Sequence, residues 1–288
     1  MLLLVDANSV FARGYFAPVD DEYQDSKHFA VYRFGQRLIS FLKDYEPETV
    51  VLAWDGSVLV RREWYPKYKV GRKPKPDDYY QQMDYTKGLA FNSGFLNVEI
   101  ENREADDVIA AYANSHRANV LIVTGDTDLL QLVYAEDFLS VQVELLKWNP
   151  KIGSHRLRFA APRDVYDYMG VWPSCVADYK GIVGDSSDNF PGVTGVGKAK
   201  VAPWLEEYGT LEEIYDFLDD LPGMRLKSGK WSAVRQKMID GEEMAFLCRK
   251  LARPLPIESN ELSFPLLTPK AQDIHSAIKK FREVHGEN

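Results

Sequence analysis

A chain of 288 residues with 45% hydrophobic and 27% charged residues can bury one large core or two smaller ones. No apolar stretch approaches the length of a membrane span, so we expect no membrane partner. The formal net charge of −8 disfavours binding to nucleic acid unless cations are concentrated locally.

The N-terminal residues and the cysteines bear on the cellular compartment. No basic leader precedes the first apolar run, and Cys175 and Cys248 are too few and too far apart for a disulfide framework or a zinc site. We therefore expect reduced thiols and a cytoplasmic location, in a bacterium or, for a phage-encoded protein, in the host.

Four apolar runs of strand length alternate with segments of helical spacing. The runs are 2–6, 49–55, 95–100 and 119–126, and the clearest helical segment is 27–45. Continuous apolar strands that alternate with helices are typical of a mostly parallel sheet covered on both faces. The sequence therefore predicts an α/β core with its ligands beyond the carboxyl ends of the strands.

The second half of the chain has a different pattern. A hairpin is expected around 147–155, and short helices separated by proline and glycine follow. An extended, proline-punctuated stretch at 253–269 leads to a last amphipathic helix at 270–284. We expect three regions, an α/β core, a helical region and a C-terminal segment that packs back on the core, at 1–165, 166–240 and 241–288.

Acidic residues cluster where the predicted strands end. Asp6 closes the first strand, Asp55 follows the second, and the fourth runs into GDTD. With the helix start EADD and the segment GDSSDN, the set is Asp6, Asp55, Glu104, Asp106, Asp107, Asp126, Asp128, Asp185 and Asp188. Each group alone is typical of a helix cap or a turn.

Taken jointly, these carboxylates predict a metal site. If the strands are neighbours, the carboxylates share one cleft, where each like-charged pair at ~4 Å costs on the order of 4 kcal/mol. Hard divalent cations with oxygen ligands resolve such repulsion. The set therefore predicts two Mg²⁺ ions, with Mn²⁺ as an expected substitute, in a site that hydrolyses phosphate esters.

A glycine run precedes one of the predicted helices. PGVTGVGKAKVA places three glycines just before the helix: Gly192, Gly195 and Gly197. Glycine lets a backbone approach a phosphate, and the free amides of a helix start point toward it. The pattern is that of a helix-hairpin-helix, which grips a DNA backbone without reading bases, although Val201 stands where a smaller residue is usual. Lys198 and Lys200 would add phosphate contacts.

A basic segment follows the second strand. Residues 61–75 hold seven Lys or Arg against one Glu, a local balance of +6. Such a run is most often a solvated loop. Its position after the second strand instead predicts a mobile arch over the cleft, at residues 60–92. Lys69 and Arg72 would neutralise charge on a reacting phosphate. Arg61, Lys67 and Lys73 would hold DNA, and five aromatic residues would stack on unpaired bases: Trp64, Tyr65, Tyr68, Tyr79 and Tyr80.

In order and spacing, these segments resemble the motifs of the 5′-nuclease superfamily, which includes flap endonucleases and the 5′-nuclease domain of bacterial DNA polymerase I. The resemblance rests on LLLVDANSVFARGYFA, EADDVIAAYA, VTGDTDLLQLV and YKGIVGDSSDNFPGVTGVGKAK, and covers most of the chain. It implies a PIN-like α/β core, a helical arch and a helix-hairpin-helix module. The implied activity is Mg²⁺-dependent hydrolysis of DNA at 5′ flaps, nicks and free 5′ ends, and of RNA in RNA:DNA hybrids, by a monomer.

The resemblance also implies roles for single residues. The implied ligands of the first metal are Asp6, Asp55, Glu104, Asp106 and Asp107, and those of the second are Asp126, Asp128, Asp185 and Asp188, with Asp106 as the bridge. Lys69 and Arg72 match the arch motif YKxxR, and Arg61 matches a basic position that contacts the substrate. The hairpin glycines of such proteins can also bind K⁺ between the backbone and a DNA phosphate.

Three other functions remain as alternatives. A phosphohydrolase with an aspartate nucleophile needs a second aspartate where this chain has Asn8. A minimal PIN-type ribonuclease is about half this length and lacks the hairpin module. A DNA-junction binder of the same fold without catalysis predicts gaps in the acidic set, and all nine positions are filled.

Overall fold

The structure of the chain is a computed structural model that describes residues 1–17, 21–56, 60–116, 118–136, 139–149, 154–219, 230–263 and 268–287. Its strands are β1 (Leu2–Asp6), β2 (Thr49–Trp54), β3 (Leu96–Glu99), β4 (Val120–Thr124), β5 (Tyr134–Glu136), β6 (Leu139–Asn149) and β7 (Ser154–Phe159). Its helices are α1 (Ala7–Phe16), α2 (Phe29–Tyr45), α3 (Val60–Trp64), α4 (Tyr79–Asn92), α5 (Ala105–Ser115), α6 (Pro162–Met169), α7 (Val176–Val183), α8 (Lys198–Tyr208), α9 (Leu211–Asp219), α10 (Lys230–Asp240), α11 (Glu242–Ala252) and α12 (Ala271–His285).

The strands form one mixed sheet in the order β3-β2-β1-β4-β6-β5, with β7 also paired to β6. The pairs between β3, β2, β1, β4 and β6 are parallel, whereas β5 and β7 run antiparallel to β6. The carboxyl ends of β2, β1 and β4 therefore lie side by side at one edge. This arrangement confirms the predicted mostly parallel sheet.

The two faces of the sheet bury two separate cores, because successive side chains of a strand point to opposite faces. Leu2 and Leu4 face a core that includes buried residues of α5 and of each helix from α6 to α11. Leu3 and Val5 face the other core, which includes α1, α2, α4 and α12. Strands buried on both faces explain why their sequences read as continuous apolar runs.

Local sequence signals set the helix ends. Pro162 stands at the first position of α6, and Gly170 ends that helix with φ +81°, a left-handed conformation that glycine adopts without strain. Glu46, the residue after α2, also has a positive φ of 45°. The predicted strands, the helix at 27–45, the short helices after 162 and the last helix are confirmed within about two residues.

The last third of the chain packs on two different parts of the molecule. A glycine-rich turn (residues 184–197) joins α7 to α8, and α11 packs against α7. The helix α12 returns to pack on α2 and α4. The tip of the predicted hairpin lies outside the described residues. Among the helices that the structure describes, none combines the length and the apolar character needed to cross a membrane.

Candidate active site

Two aspartates at neighbouring strand ends are fixed by short-range hydrogen bonds. Asp6 ends β1 and caps α1, where its Oδ1 accepts from the backbone N–H of Ser9 at 2.9 Å. Its Oδ2 accepts from the hydroxyl of Thr124, at the end of β4, at 2.6 Å. Asp55 follows β2, and its Oδ1 accepts from the backbone N–H of Ala105, the first residue of α5, at 2.9 Å. These bonds hold three strand ends and one helix start together.

The loop after β4 separates its two aspartates. Asp126 lines a cavity that also contains Asp6 and Asp55. Its Oδ1 accepts from the backbone N–H of Asp128 at 2.9 Å. Asp128 is buried and forms an ion pair with Lys180 of α7. Of this pair, only Asp126 faces the cavity.

The start of α5 presents two acids to the same cavity. Glu104 and Asp106 both line it. Glu104 accepts a hydrogen bond from the hydroxyl of Tyr68 at 2.9 Å and forms an ion pair with the ammonium of Lys69. The basic segment and α5 are therefore connected directly.

The third acid of α5 has a different environment. Asp107 is fully buried and accepts four hydrogen bonds, two from the guanidinium of Arg61 at 3.0 and 2.7 Å and two from the backbone N–H groups of Glu104 and Leu255 at 2.9 and 2.6 Å. Arg61 is itself 3% exposed and also donates to two backbone carbonyls at the end of α11. The polar atoms of both side chains are thus bound within the protein. The predicted roles of Asp107 as a metal ligand and of Arg61 as a substrate contact would require these bonds to open.

The aspartates of GDSSDN are both held by cations. Lys180 donates to Asp185 at 2.6 Å. Burial alone would raise the pKa of Asp185, but Lys180 and the hydrogen bonds from Ser187 outweigh it and lower the pKa to about 2. Asp188 is buried and accepts from Arg72 at 2.5 Å. Asp185 lines the cavity, whereas Asp188 lies behind the basic segment.

The basic segment contacts two of the acids, Glu104 and Asp188. Its backbone is attached at Lys69, whose N–H donates to the carbonyl of Asp188 at 2.8 Å. Burial would lower the pKa of Lys69, but the nearby carboxylates, first Glu104 and then Asp188, raise it, so the ammonium stays charged at neutral pH. Lys69, Arg72 and Lys73 all line the cavity. Lys67 is exposed and lines a second groove instead.

The aromatic residues of this segment differ in exposure. Tyr68 and Tyr79 are buried, at 2% and 5% exposure, so they are not free to stack on a base. The ring of Trp64 is covered by the ammonium of Lys250 at 3.5 Å. Tyr80 is 59% exposed and lines the cavity.

The cavity has a volume of about 1280 Å³ and collects most of the predicted acids. It brings together Asp6, Asp55, Glu104, Asp106, Asp126 and Asp185. Burial raises the pKa of Asp6 to about 7, and Asp55 and Asp126 add to the shift. Burial also raises the pKa of Asp106 well above its ordinary value, together with the charges of Asp126 and Asp6. The carboxylates therefore repel one another, as expected for a site built to hold cations.

The oxygen donors of this set fit a divalent metal, although the carboxylates are spaced apart from one another in the structure. In the parts of the chain that the structure describes, no three Asp, Glu, His or Cys side chains are grouped closely enough to hold a metal ion as they stand. Lys69 pairs with Glu104, and Lys180 pairs with Asp128 and Asp185, so cations of the protein occupy several of the oxygens. A hard cation would need only oxygen donors, and the cavity contains six of the predicted carboxylates.

The glycine-rich turn has the backbone geometry expected of a tight connection. Gly192 has φ +63° and lies so close to the backbone of residues 182–184 that any Cβ would overlap it. Gly195 has φ +78°, and the ammonium of Lys237 lies 2.5 Å from the position that its Cβ would take. Gly197 caps α8 and borders open space. Lys200 is exposed, and Lys198 lines the second groove with Lys67 and Tyr65.

Two cations at the site were not found by sequence reasoning. Arg13 of α1 lines the cavity, and its guanidinium lies 2.8 Å from where a Cβ on Gly125 would be. It follows Asp6 by seven residues, which is a spacing of two helical turns. Lys180 precedes Asp185 by five residues on α7 and joins it to Asp128. For both cations, the signal in the sequence is their separation along the chain from an acid of the site.

Two family models match the chain in succession. The model for the 5′-3′ exonuclease N-terminal resolvase-like domain matches residues 1–165. The model for the 5′-3′ exonuclease C-terminal SAM fold matches residues 171–264.

Curated relatives of the chain include bacterial DNA polymerases I. That of Caldicellulosiruptor bescii is 34% identical over 256 residues, and the match covers 87% of this chain and 28% of the relative. That of Bacillus caldotenax is 32% identical over 291 residues, and the match covers 98% of this chain and 31% of the relative. The chain thus spans less than a third of the length of these relatives.

Solved structures of similar fold include a protein of bacteriophage T5 and Rad2. The T5 5′-exonuclease with zinc ions bound has a TM-score of 0.66 and 21% identity, with 98% of each chain covered. The catalytic core of Rad2 in complex with a DNA substrate has a TM-score of 0.62 and 16% identity, with 97% of this chain and 86% of the other covered. This likeness confirms the predicted α/β fold with a mostly parallel central sheet and many helices. Since one family model alone covers more than half of the residues and a relative is 34% identical over 87% of them, the chain belongs to the 5′-3′ exonuclease family.

Proposed function

We propose that the chain is a structure-specific 5′ nuclease that hydrolyses phosphodiester bonds at 5′ flaps, nicks and free 5′ ends of DNA, and in the RNA of RNA:DNA hybrids. One observation carries the proposal: a single large cavity contains six of the predicted carboxylates, from three strand ends, the start of α5 and the loop after α7, together with five cations of the basic segment. Family membership supports the same reaction class.

The carboxylates of the cavity would hold divalent cations, and Mg²⁺ is the proposed one because the donors are all oxygens. The proposed ligands are Asp6, Asp55, Glu104, Asp106, Asp126 and Asp185. Asp128 and Asp188 stay as predicted ligands that would require their pairs with Lys180 and Arg72 to open. The bound cations would supply Lewis acidity, which activates water and neutralises charge on a phosphate.

The cations of the basic segment would position the phosphate that reacts. Lys69 pairs with Glu104, and Arg72 pairs with Asp188. An incoming phosphate offers both side chains another anionic partner, and Arg72 can bind two phosphate oxygens at once. The exchange of a carboxylate for a phosphate would free the acid for the metal. In this view, the arch at 60–92 couples substrate binding to assembly of the metal site.

The second groove and the glycine-rich turn would bind the duplex part of the substrate, at a distance from the reacting bond. Lys67 and Lys198 line the groove from its two sides, one on the basic segment and one at the start of α8. We propose that α7, the turn and α8 form a helix-hairpin-helix module, in which backbone amides and lysines bind a phosphate. The same proposal includes K⁺ binding at this turn, a monomeric state and the three regions predicted from the sequence.

A labelled flap substrate tests the proposed reaction. DNA with a 5′ flap is incubated with the protein in Mg²⁺ or in EDTA, and the lengths of the labelled products are measured. We expect short 5′ products in Mg²⁺ and none in EDTA. Asp126→Ala should abolish cleavage, and flap binding in EDTA should persist because the basic segment and the turn remain.

The matched control is Asp84→Ala, which removes an exposed aspartate that lies outside the cavity. This variant should cleave like the wild-type protein. Binding to the flap with no cleavage in either Mg²⁺ or Mn²⁺ would contradict the nuclease and favour a DNA-junction binder. Near-normal turnover by Asp126→Ala would contradict the ligand assignment.

A further inference from the structure

A groove runs along the surface between α4 and α12, outside the cavity that holds the acids. This α4/α12 groove has a volume of about 490 Å³, and its apolar lining includes Tyr85, Gly88 and Leu89 of α4 and Ala277, Phe281 and Val284 of α12. The ring of Tyr85, near the start of α4, lies 5.6 Å from that of Phe281, near the end of α12. Beyond the other end of α4, a Cβ on Gly94 would lie 3.6 Å from Pro269, which precedes α12. The two helices are therefore antiparallel.

Two exposed apolar side chains stand at opposite ends of the groove. Among the large apolar residues that the structure describes, Phe91 at 73% and Val284 at 72% are the most exposed. Val284 lines the groove near the end of α12, and Phe91 stands near the end of α4, one residue before Asn92, which also lines it. An apolar surface that is exposed in this way is typical of an interaction site.

Small residues leave the middle of the groove open. Gly88 lies within α4, where glycine is a poor helix former. A Cβ at this position would meet no atom of the described residues within 4 Å, so packing inside the chain does not require a glycine there. Ala277 of α12 also lines the groove. The distance at which two helices pack depends on the side chains at their contact, so small residues let a third helix come close.

The charges that line the groove select its ligand. Asp84 lies at the end where α4 begins and Asp273 at the end where α12 begins, with Lys280 between them, and all three are exposed. One oxygen of Asp273 also accepts from the backbone N–H of Lys270. Two carboxylates against one ammonium disfavour a phosphate backbone. They favour a ligand that has an apolar middle and a cation at each end.

We infer that the α4/α12 groove binds an amphipathic helix of another protein, whose apolar stripe has a lysine or arginine at each end. An amphipathic helix binds such a groove through apolar residues spaced three and four apart. From Asp273 to Val284 the groove is about 16 Å long, which corresponds to about three helical turns. Met83 and Lys87 of α4 line the cavity, whereas Asp84 and Gly88 line the groove. The partner would therefore bind on the far side of α4 and leave the cavity open.

A designed peptide tests this inference. A fluorescein-labelled helical peptide of about 14 residues carries leucines along one face and a lysine at each end of that face, and its affinity is measured by fluorescence anisotropy. We expect saturable binding to the wild-type protein with a Kd below about 100 μM. A peptide of the same composition in scrambled order should not bind. Replacing both lysines with glutamate should weaken binding by at least about threefold at low salt.

Two substitutions should close the groove without unfolding the protein. Gly88→Leu places a side chain in open space and replaces glycine with a better helix former, so the melting temperature should not fall. The new side chain occupies the room of the partner and should weaken peptide binding by at least about tenfold. Val284→Asp puts a charge where the peptide is apolar and should weaken binding to a similar extent. The matched control is His275→Leu, which adds a leucine to an exposed position of α12 outside the groove and should leave binding unchanged.

The outcomes are independent of the proposed function, because the groove lies outside the cavity. Absence of peptide binding by the wild-type protein, or equal binding by Gly88→Leu, would overturn the inference. Equal binding of the scrambled peptide would also overturn it, since the surface would then bind any apolar chain. Dimerisation in sedimentation velocity that Gly88→Leu abolishes would assign the groove to a second copy of this chain instead. All three variants should cleave the flap in Mg²⁺ like the wild type, and a loss of cleavage in Gly88→Leu alone would mean that the groove is not separate from the cavity.

Discussion

Asp106 and Asp107 are adjacent in sequence, yet they have opposite environments. Asp106 faces the cavity, where burial and neighbouring carboxylates raise its pKa. Asp107 points inward and is neutralised by Arg61. A helix advances by about 100° per residue, so neighbouring positions at its start can face different partners. The sequence predicts that acids gather at the start of α5. It contains no signal for the position of Arg61, which is 46 residues from Asp107 along the chain.

The environment of Asp107 predicts a structural role that can be measured. Asp107→Asn keeps the size of the side chain but removes one of the two carboxylates that pair with the buried guanidinium of Arg61 and leaves only Glu104, at 2.8 Å. Breaking a buried ion pair at one partner destabilises a protein by about 3–5 kcal/mol. We therefore expect the free energy of unfolding, measured by urea denaturation without metal, to fall by about that amount.

Asp106→Asn is the matched control for this measurement. Burial disfavours the ionised form of Asp106, so replacing it with a neutral side chain should not lower the free energy of unfolding at neutral pH. It should abolish cleavage, whereas folded Asp107→Asn should retain part of it. Equal stability of the two variants would contradict the structural role of Asp107.

The helices and strands that the sequence predicts best are those whose structure is decided by one local pattern. The strands β1, β2 and β4 are short apolar runs buried on both faces, and each was expected from its composition. The strand β6 is also parallel to β4, but its sequence LSVQVELLKWN includes Glu144 and Lys147 and alternates in polarity. Such a pattern is typical of a hairpin strand, and only its pairing with β7 was expected. Tertiary packing decides which strand pairs with the other edge of β6.

The helix α12 supports two helices on one face of the sheet. It packs on both α2 and α4, and its Ile274 is fully buried in the core on that face of the sheet. Gly35 of α2 permits the close approach of α12, since a Cβ there would lie only 3.0 Å from Ile278. Ile274→Ala should lower the free energy of unfolding by about 2–5 kcal/mol, because a buried cavity is left behind. Urea denaturation monitored by circular dichroism provides the measurement.

Val284→Ala is the control on the same helix. Val284 is 72% exposed, and surface substitutions usually change stability by less than about 0.5 kcal/mol. If both variants unfold at the wild-type urea concentration, the packing of α12 does not contribute to the stability of the fold.

For the whole molecule, the topology explains why acids that are distant in sequence meet. Because β1 lies between β2 and β4, the residues that follow these strands converge at one edge of the sheet. Asp6, Asp55 and Asp126 were expected there for that reason, and the structure places them in one cavity. The ion pairs that the basic segment and α7 make with the acids were not predictable. They depend on how side chains from separate regions meet after folding.

The charge of the whole molecule makes its proposed DNA affinity depend on a few cations. The net charge is −8, so binding must come from local patches such as the start of α8. Each lysine that neutralises a phosphate contributes about 0.9 to the slope of log affinity against log salt concentration. Lys198→Met and Lys200→Met should each flatten the slope for nicked duplex by about that amount, measured in EDTA at several salt concentrations. Lys279→Met, an exposed lysine of α12, should leave it unchanged. An unaltered slope in both α8 variants would mean that the glycine-rich turn does not hold DNA, and the duplex would then have to lie elsewhere on the protein.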